Sequence, residues 1–278
     1  MKYYLYNSLA NNGVKPEFLD GFKDNENVLV KDAVGINYVE FLNALGFDDE
    51  VVLVGGDGTV NYFVNAIGDY ELKNKIYLHP AGTGNDFLND IKKDHEGEEE
   101  ILLNAYIKHL PTVYVNGLEK KFINGIGYGI DGYCCEVADK MKADGYTKEI
   151  NYAGIAIKGL LFHFKPVTAT INVDGVEHTF TKVWLAPSMK GRFYGGGMMI
   201  APAQDRKELS LSCVIYRASN KFQALIVFPS IFKGEHIKKE KMVKVFTGKE
   251  IEVKFDRPCA LQIDGDTVLG VTSYKVKA

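Results

Sequence analysis

The sequence predicts an α/β plus β protein: an N-terminal Rossmann-like parallel α/β domain over residues 1–117, then a C-terminal β-sandwich-like domain over residues 118–278. Three observations carry this. Up to about residue 115, short β-rich runs alternate with stretches of helical periodicity, the pattern of parallel strands joined by crossover helices. From about Phe122 the β runs lengthen and are separated by turn signals. At 278 residues the chain also exceeds the ~100–150 residues of a typical single domain.

In the first domain the expected strands are Tyr3–Tyr6, Asn27–Val30, Val51–Val54 and Ile76–His79. Between them Tyr38, Phe41, Leu42 and Leu45 recur at offsets of three and four, as do Val60, Phe63, Val64 and Ile67, so each set predicts a helix with one buried face. The acidic run Glu96–Glu100 reads as the start of a solvated helix, where the dipole favours carboxylates. In the second domain Val167–Val173 and Val176–Leu185 flank Asp174-Gly175, a two-residue hairpin signal. Further strands are expected at Leu209–Tyr216, Met242–Phe246, Ile251–Phe255, Ala260–Ile263 and Ser273–Val276, with the last a candidate to return to the first domain. Ile150–Phe164 and Phe222–Phe232 are apolar without strict alternation and are expected to be helices.

Composition narrows the function classes. A hydrophobic fraction of 46% and a charged fraction of 25% are ordinary for a globular chain, and a formal net charge of −3 gives no general attraction to nucleic acid. Nucleic acid is therefore not an expected partner, and contact with an anionic membrane needs a local basic patch. Two stretches offer one, Lys158–Lys165 and the lysines between Lys233 and Lys244, although a buried helix end and a solvated loop explain them as well. The apolar run before Asn7 is too short for a secretory signal, and no uncharged run approaches the ~20 residues that cross a bilayer, so a cytoplasmic protein is expected. Cys134, Cys135, Cys213 and Cys259 lack metal-site spacing and read as buried thiols.

The residues that point to chemistry begin at Val51, where a buried strand runs into Gly55-Gly56-Asp57-Gly58-Thr59 and a helix starts at about Thr59. Glycines there permit positive φ and close backbone approach, and the free N–H groups of a helix start face an anion, so the turn is expected to bind phosphate. Asp57 would be repelled by that phosphate unless a cation lay between them. It therefore suggests Mg²⁺, held directly or through water, with a helix cap as the plainer reading. A second strand leads into Pro80-Ala81-Gly82-Thr83-Gly84-Asn85-Asp86-Phe87. Two such turns in one parallel sheet converge at its carboxyl edge, where α/β ligands sit. There Thr83 can donate to phosphate, Asn85 can cap or bind, and Asp86 brings a second carboxylate.

Gly-Gly-Asp-Gly-Thr followed by Gly-Thr-x-Asn-Asp-Phe resembles the diacylglycerol kinase catalytic-domain family, with its sphingoid and ceramide kinase relatives. The likeness extends to Gly191–Pro202, a glycine-rich segment, and to Ile263-Asp264-Gly265-Asp266, similar to the family's Asp-Gly-Glu. It implies a lipid kinase in phospholipid metabolism that transfers the γ-phosphate of ATP, with Mg²⁺, to a hydroxyl of a lipid such as diacylglycerol. That lipid would be presented at the membrane surface, with the enzyme peripherally associated during catalysis and a site in the cleft between the domains. On this resemblance ATP binds at Gly55, Gly56, Asp57, Gly58, Thr59, Val60, Asn61 and Thr83, with Asn7 and Asn85 alongside. Asp264 is the general base, and Asp57, Asp86 and Asp266 organise Mg²⁺. A homodimer is left open.

Three departures stand out. Asn7 is kept, but the Pro/Ser/Gly-rich turn after it is reduced to Ser8-Leu9-Ala10; relatives carry Asp-Asp-Gly at a structural Mg²⁺ where this chain has Ala203-Gln-Asp-Arg-Lys-Glu-Leu209; and Asp266 replaces Glu. If these changes disable the site, the alternative is a catalytically silent nucleotide- and lipid-binding regulator. NAD kinase, which shares only the first glycine motif, is the more distant one.

Overall fold

The β-rich runs of the first hundred residues line up in one sheet. In the computed structural model, which describes residues 1–9, 16–22, 25–82, 85–148 and 150–278, strands β1 (Lys2–Tyr6), β2 (Val28–Asp32), β3 (Glu50–Gly55), β4 (Lys75–Pro80) and β5 (Ile101–Leu102) pair in the order β2-β1-β3-β4-β5. The first four run parallel, and β5 is antiparallel to β4. Helices α1 (Tyr38–Asn43), α2 (Asp57–Ile67), α3 (Asp86–Ile91) and α4 (Asn104–Ile107) lie between and after these strands. β3 is central, and Val51 to Val54 are buried, which is why that run is continuously apolar rather than alternating. α2 buries Val60, Phe63, Val64 and Ile67, the face its spacing predicted, and begins two residues earlier than expected. Residues 96–100 do not open a helix. The Glu100 carboxylate accepts hydrogen bonds from the Tyr4 hydroxyl and the Lys2 ammonium, both at 2.5 Å, and tethers this segment to β1.

The chain divides between His109 and Leu110. The second unit opens with a hairpin of β6 (Thr112–Val115) and β7 (Leu118–Lys121), so the expected boundary at 117/118 falls inside its Asn116-Gly117 turn. There follow β8 (Gly125–Tyr128), α5 (Ile130–Ala143), α6 (Tyr152–Lys158), β9 (Val167–Val173), β10 (Val176–Leu185), β11 (Ser188–Met189), β12 (Phe193–Tyr194), β13 (Met198–Met199), β14 (Leu211–Arg217), α7 (Lys221–Val227), β15 (Val243–Gly248), β16 (Glu250–Ile263) and β17 (Asp266–Lys277). β17 pairs with β16 and with β6, so the last strand stays in this unit.

The two strands expected at 251–255 and 260–263 are one long strand, β16, whose register shifts between Lys254 and Leu261, around Pro258. Its first part pairs with β9 and its last three residues with β8, so one strand serves both layers of the sheet. Between the layers Tyr128 stacks on Phe255, with ring centroids 3.7 Å apart, and its hydroxyl donates to the Val271 carbonyl at 2.6 Å. A second apolar cluster, including Trp184, Tyr216, Ala224, Phe228 and Leu160, joins α5, α6 and α7 to the strands. No helix among the described residues is long and apolar enough to cross a membrane.

Candidate functional site

β3 and β4 are parallel neighbours with Gly55 opposite Pro80, so the two glycine turns that follow leave the sheet side by side. The Ala81 N–H donates to the Gly55 carbonyl at 2.9 Å and extends the ladder into the turns. Gly82 then lies directly against Gly56: a Cβ at Gly82 would sit 2.6 Å from both the N and Cα of Gly56. Backbone cannot yield there, so the approach demands glycine. A Cβ at Gly55 would likewise meet the Thr59 hydroxyl oxygen at 2.0 Å, whereas Gly58 faces open space. The Gly56 carbonyl accepts from Thr59 N at 3.0 Å and Val60 N at 3.2 Å, which starts α2.

Asp57 joins the two turns. Its carboxylate accepts the N–H of Asp86 at 2.9 Å and of Phe87 at 3.2 and 3.3 Å, so it caps α3, a helix on the other motif. The cap expected as the plainer reading is present, but on the neighbouring helix. Asn85, at the N-cap position itself, makes no side-chain cap bond, and its buried Oδ1 finds no partner among the described residues. Asp86 and Asn61 are buried beside these turns and Val60 is in the core. Thr83 lies outside the described residues. Asn7 follows β1, whose last residue Tyr6 is level with Val54, so it occupies the same sheet edge. Its Oδ1 accepts Leu9 N at 2.8 Å in an Asx turn, a local use of the side chain.

The two remaining predicted carboxylates lie at the β16–β17 hairpin. Asp264 and Gly265 form its two-residue turn, with φ of 47° and 100°, so Asp264 sits in the turn and Asp266 opens the following strand. The Asp264 carboxylate turns inward and accepts the N–H groups of Ile123, Asn124 and Gly125 at 2.6, 2.9 and 2.9 Å. Asp266 is exposed and pairs with Lys120. Asp174, at the β9–β10 turn with φ of 49°, uses its carboxylate in the same manner, accepting Lys249 N at 3.0 Å and Glu250 N at 2.8 Å. The turn at 264 thus carries a structural duty that another hairpin of this fold repeats.

Sequence reasoning passed over a buried polar cluster next to that turn. Arg206 donates to the Ile123 carbonyl and, at 2.8 Å, to Asn124 Oδ1; the Lys190 ammonium donates to the Glu208 carbonyl at 2.7 Å. Gln204 donates to the carbonyls of Asp205 and Ser210 and accepts from the Ser212 hydroxyl, while Asp205 Oδ1 accepts Lys207 N. The segment that departs from Asp-Asp-Gly is therefore held by a guanidinium and an amide. Among the described residues no three His, Cys, Asp or Glu side chains gather at one point.

A second group that was missed is the pair Asp131 and Tyr194, both buried, with the hydroxyl donating to Asp131 Oδ2 at 2.5 Å. Burial pushes the Asp131 carboxyl up to about 7 against the opposing pull of that hydrogen bond. The signal available in the sequence was slight: Asp131 opens a helix that carries four further charged residues and little hydrophobic period.

Two family models match the chain in succession, the N-terminal one running past the division at His109 into β6. The family model described as the YegS C-terminal NAD kinase beta sandwich-like domain matches residues 124–277, more than half of the chain, and the diacylglycerol kinase catalytic domain model matches residues 29–115. A diacylglycerol kinase of Mycobacterium tuberculosis (strain ATCC 25618 / H37Rv) is 27% identical over 195 residues, which are 68% of this chain and 62% of that protein. The chain thus matches less than two thirds of that relative's length. The Bacillus subtilis (strain 168) protein named "Putative lipid kinase YtlR" is 26% identical over 243 residues, 81% of this chain and 76% of its own. A solved diacylglycerol kinase structure from Bacillus anthracis str. Sterne shares the fold at a TM-score of 0.60 and 18% identity, covering 99% of this chain and 92% of that one.

Proposed function

The chain belongs to the lipid kinase family that combines a diacylglycerol kinase catalytic domain with a YegS-type C-terminal domain, and from this premise we propose that it transfers the γ-phosphate of ATP to a hydroxyl of a membrane lipid such as diacylglycerol. The observation that carries the reading is the pair of fused glycine turns at the carboxyl edge of the first sheet. Gly82 backs onto Gly56 too closely for any side chain, Gly58 stays open, and the N-terminus of α2 rises behind them. Backbone N–H groups in such a turn suit a phosphate chain. Asn85 Oδ1, without a partner among the described residues, fits a ligand that brings a donor, such as a ribose hydroxyl or a metal-held water.

ATP would supply the phosphoryl group, and Mg²⁺ would neutralise charge that builds on it as the bond transfers. The protein's part is placement. Gly55 to Asn61, with Asn85 and Thr83, would hold the phosphates, and Asn7 would border the nucleotide. Asp57 and Asp86 would orient the metal's water shell, Asp57 doing so while it caps α3. Asp264, fixed in orientation by three N–H donors, would take the proton of the lipid hydroxyl, with Asp266 beside it on the hairpin as a further charge. Lys120, already on Asp266, limits what that residue can give to a metal.

One observation favours a second reading. The carboxylates of Asp57 and Asp264 are engaged by backbone N–H groups and that of Asp266 by a lysine, as suits a nucleotide- and lipid-binding regulator without turnover. Incubating the protein with γ-labelled ATP, Mg²⁺ and either a mixed lipid extract or NAD separates the readings. The kinase reading expects label in a lipid product. Bound ATP without labelled product would leave the regulator, and label in NADP would make the chain an NAD kinase.

A further inference from the structure

In the second unit, α6, the turn at 159–163 and α7 bury one face and expose another that is also apolar. Inward, Ala156, Leu160, Ala224, Val227 and Phe228 complete the cluster around Trp184 and Tyr216. Outward, Phe162 is 73% exposed, Phe222 63% and Ile226 80%, with Ile157 and Phe232 also open to solvent. Folding of these amphipathic segments needs only the inner set. Of the outer set, Phe232 meets Phe228 and Phe162 meets His163 edge-on, yet Phe162, Phe222 and Ile226 keep most of their surface in water.

Lys221 shows that the outer residues form one patch. Its ammonium donates to the Leu161 carbonyl at 3.0 Å and lies 5.8 Å from the ring centre of Phe162 and 5.7 Å from that of Phe222. Ile226 is one helical turn beyond Phe222 on the same side of α7. Lys158, Lys165 and Lys233, all exposed, border these residues in the chain, and among the described residues none of the three forms an ion pair. Such cations run against the chain's net charge of −3 and concentrate beside apolar tips.

We propose that this face of α6, the 159–163 turn and α7 docks on an anionic lipid bilayer, with Phe162, Phe222 and Ile226 entering the acyl boundary and Lys158, Lys165 and Lys233 meeting headgroup phosphates. Aromatic and branched apolar tips with exposed lysines close by in the chain have the composition that partitions to an anionic interface, since each component alone binds it weakly. A protein partner would need carboxylates arranged opposite the lysines; a bilayer supplies anions at any spacing. The inference rests on the lipid-kinase reading only for its purpose, because a lipid acceptor does not leave the membrane to meet the enzyme.

The test uses the full chain with vesicles of phosphatidylcholine, alone or with a third phosphatidylglycerol, read by sedimentation. The wild type is expected on the anionic vesicles and not on the neutral ones. The variant Phe162→Ser/Phe222→Ser/Ile226→Ser should bind anionic vesicles at least about 10-fold less tightly. Lys158→Gln/Lys165→Gln/Lys233→Gln should lose roughly 100-fold on them. All six positions are exposed, so unchanged circular dichroism and Tm are expected. Turnover on a water-soluble short-chain diacylglycerol should also stay at wild-type level. Wild-type absence from anionic vesicles, or equal binding by the variants, overturns the proposal, as does a solution dimer that the apolar variant dissociates. If wild type binds vesicles, the variants do not, and no lipid is ever phosphorylated, the docking face stands and the kinase reading falls.

Discussion

Replacing Asp57 separates the cap seen in the structure from the metal and nucleotide role proposed for the residue. Asp57→Ala leaves the N–H groups of Asp86 and Phe87 at the start of α3 without their acceptor, now 2.9 to 3.3 Å away. A cap exchanged for alanine costs ~0.5–2 kcal/mol and a hydrogen bond to a charged group ~1.5–3 kcal/mol. For a half-buried carboxylate taking two such bonds, about 2 kcal/mol is expected. The first unit spans Met1–His109, a size at which 1 kcal/mol moves Tm by roughly 4–8 °C, so its unfolding transition should drop by about 8–16 °C. Asp57→Asn keeps an acceptor oxygen, and asparagine caps nearly as well as aspartate, so its Tm should stay within a few degrees. Turnover tells the other half. If the charge also orients the metal and nucleotide, Asp57→Asn should lose ~10²–10³-fold in kcat at a temperature where both proteins are folded. Calorimetric unfolding and labelled-ATP turnover on the two variants decide it. Asp57→Asn within three-fold of wild type would reduce Asp57 to a cap, and an unchanged Tm for Asp57→Ala would refute the cap.

Gly82→Ala should destabilise by about 1–3 kcal/mol and abolish ATP binding, since its Cβ meets backbone at Gly56, while Gly58→Ala should fold normally yet weaken ATP in isothermal calorimetry; unchanged affinity for Gly58→Ala would move the phosphates off this turn. Asp264→Asn turns an amide toward three N–H donors and should cost about 1–3 kcal/mol, seen by chemical denaturation. If Asp264 is also the base, kcat should fall ~10²–10⁴-fold with KM for ATP unmoved. Full turnover by the folded variant would return the turn to a purely structural role. Asp131 holds its proton up to about 7 in the folded chain but only to near 3.8 in the unfolded one, so it lowers stability as pH rises through that window and is level above it. Asp131→Asn should therefore gain on wild type between pH 5 and 8, by roughly 5–10 °C in Tm, and parallel Tm profiles would disprove the buried proton.

Much of this was legible where the signal is local. Asp174-Gly175 placed both its strands to the residue, because a two-residue turn with positive φ fixes their register. Asn116-Gly117 carries the same signal but was not read as a turn, so the expected boundary at 117/118 cuts the β6–β7 hairpin. The glycine turns were legible because a continuously apolar strand must be central and must end at the carboxyl edge. α5 was not, and the reason lies in how it packs. Gly132 meets the strand backbone at Ala260 so closely that a Cβ would lie 1.9 Å from that carbonyl oxygen, and the buried face is built from Ile130, Asp131, Gly132, Cys134 and Ala138. A helix that docks through glycine shows little hydrophobic period. The capping of α3 by Asp57 was equally hidden, since it joins residues 29 and 30 positions apart that only the β3–β4 pairing brings together.

The strand that serves both layers of the second unit also sets the order in which that unit can be made. Apart from each other, β16 and β17 pair with strands made before them, and the N–H groups of Ile123, Asn124 and Gly125 wait for an Asp264 carboxylate 139 to 141 residues later in the chain. At ~5–20 residues per second of synthesis, that separation is on the order of ten seconds. Through that interval β6, β8 and β9 are made but lack the strand edge they will pair with, and open edges of this kind recruit other chains. The first unit escapes the delay, since β1 finds β2 and β3 within its first 55 residues. A nascent chain stalled before residue 250 would therefore carry a finished first sheet joined to an adhesive, unclosed one.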